Sequence, residues 1–233
     1  LHLLSRRQRQ MCIRDSYYDD NKIIKIPIDN TKTPAENAQK YFDKYGKMKR
    51  TAEALNELIL ETKSQIDHLE SIQNSLDIAL SADDLVQIKD ELIEYGFIKK
   101  GKGSKKQKVK SKPFHYISSD GFDMYVGKNN YQNDELTFKL ATGNDWWFHA
   151  KGMPGSHVIV KAENKELPDS TFEEAGKLAG YYSKGKNADK VEIDYLQKKN
   201  VKKPNGAAAG FVVYYTNYSL TIHPDISDIR QIE

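Results

Sequence analysis

The chain has 233 residues, 38% of them hydrophobic and 30% charged, with a formal net charge of +3. That is enough apolar material for one core of ordinary size in part of the chain. A single cysteine excludes a disulfide framework and a multi-cysteine zinc site and points to a reducing compartment. No apolar run approaches the roughly 20 residues that cross a bilayer, which excludes a membrane-spanning helix.

Residues 1–16 hold four of the six arginines (Arg6, Arg7, Arg9 and Arg14) and the single Cys12; thirty lysines serve the rest of the chain. With this break in basic usage, residues 1–16 read as a segment foreign to the remainder, with a targeting peptide as the rival reading; on the first, the chain is expected to be a fragment whose own N-terminus is missing. Residues 17–32 then read as the remnant of a β region. Lys22 to Ile28 has strand composition, Pro27 confines it to an edge, and no partner is apparent nearby.

Residues 33–98 carry 7 basic and 13 acidic side chains. Thr33 can cap a helix, Pro34 suits its first position, and Glu36 completes a capping box. Apolar residues then recur at alternating spacings of three and four: Ala38, Tyr41, Tyr45, Met48, Ala52, Leu55, Ile59, Ile66, Leu69, Leu76 and Leu80. Only Thr62 and Gln73 interrupt this heptad seam, which predicts a coiled-coil arm roughly 70 Å long. A second, shorter helix starts at Ser81 and ends at Gly96. It cannot cover the whole seam, so the seam's partner is expected in an N-terminal part of the same chain outside these residues; a homodimeric coiled coil is the other possibility.

Residues 99–112 contain eight lysines and no acid. Such a segment buries too little to fold alone. It reads either as a tether for nucleic acid or another anionic surface, or as a self-repelling spacer.

Residues 113–233 predict a compact mixed α+β domain, since strands and helices occur without βαβ repetition. Phe114–Ser119 and Phe122–Val126 flank Asp120–Gly121 as a hairpin. Asn130 to Leu140 reads as a helix. Asp145 to Ala150 and Val158 to Lys161 read as strands. Asp169 to Glu173 gives a capping signal for a helix running to about Ser183. Val191 to Leu196 is a strand, and Phe211–Thr216 with Ser219–Ile222 forms a terminal hairpin.

Three constellations carry possible chemistry. Asp145, His149 and His157 surround a Gly-rich bend and could hold a metal or do acid–base work. The structural alternative packs Trp146 and Phe148 to one side and ties the histidines to backbone. A polar surface for RNA is a third reading of the same bend, with Lys151 adding charge. Next, Lys184, Lys186, Lys190, Lys198, Lys199, Lys202 and Lys203 are interleaved with Tyr181, Tyr182 and Tyr195, a composition suited to RNA or, more plainly, to a solvated face over core tyrosines. Lys202 to Gly206 is a basic turn whose amides can approach phosphate. No phosphate-binding loop, dinucleotide fingerprint or nucleophile elbow is present.

Taken in order, Ile117–Gly121, Val126–Asn130, Gln132–Asp134, Asp145–His149, Pro154–Val158, Glu174–Ala175, Ala179, Tyr182–Ser183, Val201–Pro204, Gly206 and Gly210 resemble the RNA-binding domain of the NFACT family. Upstream, Pro34–Gln39, Tyr45, Lys47 and the acidic helix pair ending at Tyr95–Gly96 resemble that family's coiled-coil and middle region. The resemblance spans residues 17–233. It implies a cytoplasmic ribosome-quality-control factor without cofactor or membrane partner. Such a factor binds the large ribosomal subunit, its rRNA and obstructed peptidyl-tRNA, and recruits alanyl-tRNA for C-terminal alanine tailing of the nascent chain. Peptidyl transfer then belongs to the ribosome, and the protein acts by positioning rather than as an enzyme. The RNA-facing candidates are His149, Lys151, His157, Lys198, Lys199, Lys202 and Lys203, beside the motif residues Asp145, Trp146, Trp147, Phe148, Pro154, Gly155 and Ser156. Two other function classes stay open: a surface fibronectin-binding adhesin, and a metal-dependent hydrolase using Asp145, His149 and His157.

Overall fold

The computed structural model describes residues 12–16, 23–101 and 111–232. Most of the basic linker, residues 102–110, lies outside them. The chain divides into two units, residues 1–63 and 64–233, with the division inside one long helix.

In the first unit, strand β1 (Cys12–Ser16) pairs antiparallel with β2 (Ile23–Pro27), Cys12 opposite Pro27 and Ser16 opposite Ile23. The partner that β2 lacked thus lies in the segment read as foreign. Helix α1 (Pro34–Ile78) starts with the expected box: Thr33 N donates to Glu36 Oε2 at 2.7 Å, and Glu36 N donates to Thr33 Oγ1 at 3.3 Å. Asn37 is buried and exchanges hydrogen bonds with the Asp29 backbone at 2.8 and 2.9 Å, which ties the preceding turn to the first turn of the helix.

The seam is not buried. Tyr41, Tyr45, Met48, Leu55, Ile59, Ile66, Leu69 and Leu76 are all exposed. A long helix is therefore present, with this stripe left exposed among the described residues.

The second unit begins with the last turns of α1. Its buried positions there are Ile72, Asn74 and Ser75, with His68, Ser71 and Ile78 partly covered. At 100° per residue His68, Ser71, Asn74, Ser75 and Ile78 lie across the helix from Ile66, Leu69 and Leu76, while Ile72 flanks that stripe. Helix α2 (Ala82–Glu94) opens with a second capping box, Ser81 with Asp84. Its buried face is polar, Asp84 and Glu91, apart from Ile88.

That polar face meets helix α3 (Asn130–Glu135), and almost every α3 side chain is used. Asn129 caps α3 and donates to Gln87 Oε1 at 2.6 Å. Asn130 Nδ2 donates to Glu91 Oε1 and to Ser71 Oγ, both at 2.8 Å, and His68 Nε2 meets the same Glu91 oxygen at 2.8 Å. Tyr131 donates to Glu94 at 2.6 Å, and Gln132 Nε2 donates to Gln87 and Ser111. Asn133 accepts from His157 N at 3.0 Å. The second helix of the predicted arm is thus joined by hydrogen bonds to the unit that holds the sheet, and this compact unit starts at residue 64.

A seven-stranded sheet, all antiparallel, forms the rest. Its strands are β3 (Phe114–Ile117), β4 (Asp123–Val126), β5 (Trp146–Ala150), β6 (Val158–Val160), β7 (Val191–Gln197), β8 (Tyr218–Ile222) and β9 (Arg230–Ile232), in the order β8-β7-β5-β6-β4-β3-β9. The β3–β4 hairpin forms as expected, with Gly121 at φ +86° in the turn. The α+β class holds.

Successive strand residues face opposite sides, so each face has its own core. On one side Phe114, Tyr116, Met124, Phe148, Val160 and Ile193 pack against helix α4 (Asp169–Tyr181) through Ala175, Leu178 and Ala179. On the other a smaller core of Leu136, Ala141, Trp147, Ile159, Leu196 and Val201 is covered by residues 136–141 and 201–214.

The predicted helix from Asn130 to Leu140 forms, α-helical to Glu135 and then as a π-helical turn, Leu136–Leu140. Three local expectations are corrected. Asp169 is the first residue of α4, not its cap; Ser170 and Thr171 donate to Asp120 instead, at 2.6 and 2.7 Å. Phe211–Thr216 is not a strand of a terminal hairpin: only Val213 bridges, to Lys202, while β8 pairs with β7. The edge strand β9, absent from the sequence reading, pairs with β3.

Candidate nucleic-acid interface

The Asp145–His157 stretch is built mainly for structure. Asp145 is buried and accepts from Thr142 N at 2.7 Å, Thr142 Oγ1 at 3.0 Å, Ala162 N at 3.0 Å and the Lys161 ammonium. Burial pushes its carboxyl pKa up, but these hydrogen bonds outweigh that and hold it below the usual range. Trp146 and Phe148 contact Phe172 and Tyr195 on the α4 side, as the alternation predicts. Trp147 is fully buried on the other side. Pro154, Gly155 and Ser156 dock on the end of α4: Pro154 O accepts from Lys184 N, Gly155 bridges Ser183, and Ser156 N donates to Tyr182 O.

The two histidines are not a paired surface. His157 is 2% exposed, and its Nδ1 meets Thr137 Oγ1 at 2.8 Å. Its expected place facing RNA is therefore corrected: it belongs to the core behind the sheet. His149 is partly exposed, stacks on Trp147 with ring centres 5.6 Å apart, and stands edge-on to His157 at 5.5 Å. Burial, opposed by hydrogen bonding to the Gly155 backbone and by Asp194, lowers the His149 pKa to about 4. Burial and the neighbouring His149 put His157 well below the ordinary histidine value. Both rings are neutral at pH 7 and add no positive charge for phosphate. Asp145 lies four residues from His149 along β5, roughly 13 Å away. Among the described residues no group of three or more His, Cys, Asp or Glu side chains is arranged to hold a metal ion.

The lysines that looked like one stretch fall into two groups. Lys190 precedes β7 and Lys198 follows it, so about 23 Å of strand separates them. At the first end Lys151 pairs with Glu192 at 3.4 Å, Lys184 pairs with Glu70 at 3.1 Å, and the Lys186 ammonium sits 4.0 Å from the Tyr181 ring centre. Tyr182 and Tyr195 belong to the α4-side core.

At the second end the charges are less neutralised. Lys198–Asn200 forms a 3-10 turn held by Lys198 N on Asp145 O at 2.8 Å and Lys199 N on Gly143 O at 3.1 Å. The ordered Asp145 loop is thus what places these lysines. The Lys198 ammonium lies 5.6 Å from the Phe138 ring centre. Lys199 and Lys202 are exposed, and none of these three lysines meets a carboxylate among the described residues. Lys203 turns away and pairs with Asp134, so it is not a free cation.

Sequence reasoning missed the segment beside this group. Residues 209–219 are held by Ala209 N on Tyr95 Oη, Gly210 N on Asp134 Oδ1, and Tyr214, Asn217 and Ser219 on buried Asp194. Phe211 and Tyr215 are 55% and 86% exposed. The signal was the unbroken β-branched and aromatic run Phe211 to Tyr215, but which side faces out depends on the core beneath.

Residues 1–112 match the family model for NFACT N-terminal and middle domains, and residues 112–215 match the NFACT protein RNA binding domain. The chain is 41% identical over 234 residues to the Rqc2 homolog RqcH of Streptococcus pneumoniae (strain D39), covering 100% of this chain and 42% of that protein. It is 36% identical over 236 residues to the Rqc2 homolog RqcH of Bacillus subtilis (strain 168), covering 100% of this chain and 41% of that one. It therefore spans about two fifths of these relatives, and the aligned part includes the first sixteen residues. Among solved structures, the C-terminal part of the fibronectin/fibrinogen-binding protein from Streptococcus suis superposes with a TM-score of 0.76 at 41% identity, covering 85% of this chain and 80% of that one. With two family models spanning residues 1–215 in the expected order, and a solved relative of like sequence sharing the fold, the chain belongs to the NFACT family.

Proposed function

We propose that this chain is the RNA-binding portion of a ribosome-quality-control factor. It holds the large ribosomal subunit through rRNA or tRNA phosphates at Lys198, Lys199 and Lys202. The relatives' RqcH name and the RNA-binding family model support the role. The observation that carries the site is that these three cations stand together on a fixed turn and bridge without a carboxylate partner among the described residues, whereas Lys151, Lys184 and Lys203 have one. Neutralised lysines gain little from phosphate; free ones release counterions on binding. The role is positioning: recruitment of alanyl-tRNA and alanine tailing by the whole factor use the ribosome's own chemistry.

The triple change Lys198→Glu, Lys199→Glu, Lys202→Glu should weaken binding to ribosomes and to RNA by tenfold or more. It should also reduce the slope of log affinity against log salt by about 2. Unchanged affinity and slope would refute the site. The solved neighbour is named for binding fibronectin and fibrinogen, which favours a second reading in which this chain binds one of them. Saturable binding of the purified chain to immobilised fibronectin, with no binding to ribosomes, would select it.

A further inference from the structure

Val212 and Tyr214 pack inward on the smaller core, while Phe211 and Tyr215 point to solvent. Lys202 and Val213 exchange both backbone hydrogen bonds, at 3.0 and 2.9 Å. Directly opposed residues of an antiparallel pair put their side chains on one side. Lys202 therefore shares the outward side with Val213, beside the segment that carries the two exposed rings. Gly210, at φ +76°, sits where any Cβ would come within 2.6 Å of Asn130 Oδ1, so the approach to Phe211 is fixed from beneath. The result is an ordered outward strip of two aromatic rings with a free cation beside it.

We infer that this strip takes unpaired nucleotides of RNA, their bases stacking on Phe211 and Tyr215 and their phosphates meeting Lys202 and Lys199. This rests on the RNA-binding reading above and names the class of RNA. A paired base hides its flat face in the helix stack, whereas a loop, bulge or end offers it to a ring. Lysines alone would not discriminate, because duplex and single strand both present phosphate. The exposed rings are what makes the strip selective for unpaired segments.

The test is fluorescence anisotropy of the full chain with a labelled single-stranded RNA and with the blunt duplex of the same sequence. The wild type is expected to prefer the single strand. The double change Phe211→Ala, Tyr215→Ala should lower single-strand affinity about tenfold or more while leaving duplex affinity and the salt slope unchanged. Tyr215→Phe should retain binding, and an unchanged circular dichroism spectrum shows that the variants fold. If the double variant binds the single strand like the wild type while the triple lysine variant does not, the strip is overturned and the RNA-binding reading stands. If the double variant loses ribosomes but keeps RNA, the strip meets protein and the inference fails. If the wild type binds neither RNA, the RNA-binding reading itself falls.

Discussion

The two faces of the seven-stranded sheet are built from the same alternating strands but closed differently. One lies under a 13-residue helix, and its core is continuous from Phe114 to Ile229. The other lies under a π-helical turn and an irregular segment, and its core holds six buried residues. The second face also carries His149 and His157, the buried Asp194 that fixes the covering segment, and the indole Nε1 of Trp147, which has no hydrogen-bond partner among the described residues. A regular helix can only close a face. An irregular cover held by side-chain hydrogen bonds can also hold rings and lysines outward, which is why the candidate interface lies on this side.

The largest break in this contrast comes from its most buried ring. Trp147→Ala should cost about 3–5 kcal/mol, because the small core on that face has little with which to refill the cavity. The urea midpoint measures it, and a loss under 1 kcal/mol would mean that the covering segment collapses freely onto the sheet.

Acid should act next, first through the same face. Histidine ordinarily titrates near 6.5 and His149 near 4. Between those values the unfolded chain takes up a proton that the folded chain does not. Stability is therefore complete above about pH 6.5 and falls as pH drops towards 4, by on the order of 2 kcal/mol from His149 once its partial exposure is allowed for, with His157 acting in the same direction. Urea titrations at pH 7 and 4.5 should show the loss, and His149→Gln should shrink it. Asp84, Asp120 and Asp145, all held below the usual carboxylate range, act at lower pH.

The smallest effect sharpens the division of the lysines. Lys151→Ala removes an exposed pair with Glu192, far along β7 from Lys198. Stability should change by less than about 0.5 kcal/mol and RNA affinity by less than twofold. A tenfold loss of RNA binding would move the interface to the opposite end of the strand.

Much of this was legible in residue order. Thr33 with Glu36 and Ser81 with Asp84 are capping boxes with local geometry, so a few adjacent residues suffice to specify them. The hairpin around Gly121 and the separation of Trp146 and Phe148 from Trp147 likewise follow from turn chemistry and the strand period. The helix seam was legible as a stripe but not as a contact. The end of α1 turns its polar side, His68, Ser71, Asn74 and Ser75, to the rest of its unit because Glu91, Asn130 and the Tyr182 carbonyl offer partners there. No periodicity of apolar residues reports such a face.

By itself the sequence determined the helices, most of the strands, the α+β class and the family, since these rest on short-range propensity and on motifs in a fixed order. Only the tertiary structure decided which lysines keep a free charge, that His157 is buried, and that Phe211 and Tyr215 face outward. Those outcomes depend on partners far along the chain, such as Asp134, Thr137 and Asp194, and charge and exposure are properties of what a side chain meets rather than of its position in the sequence.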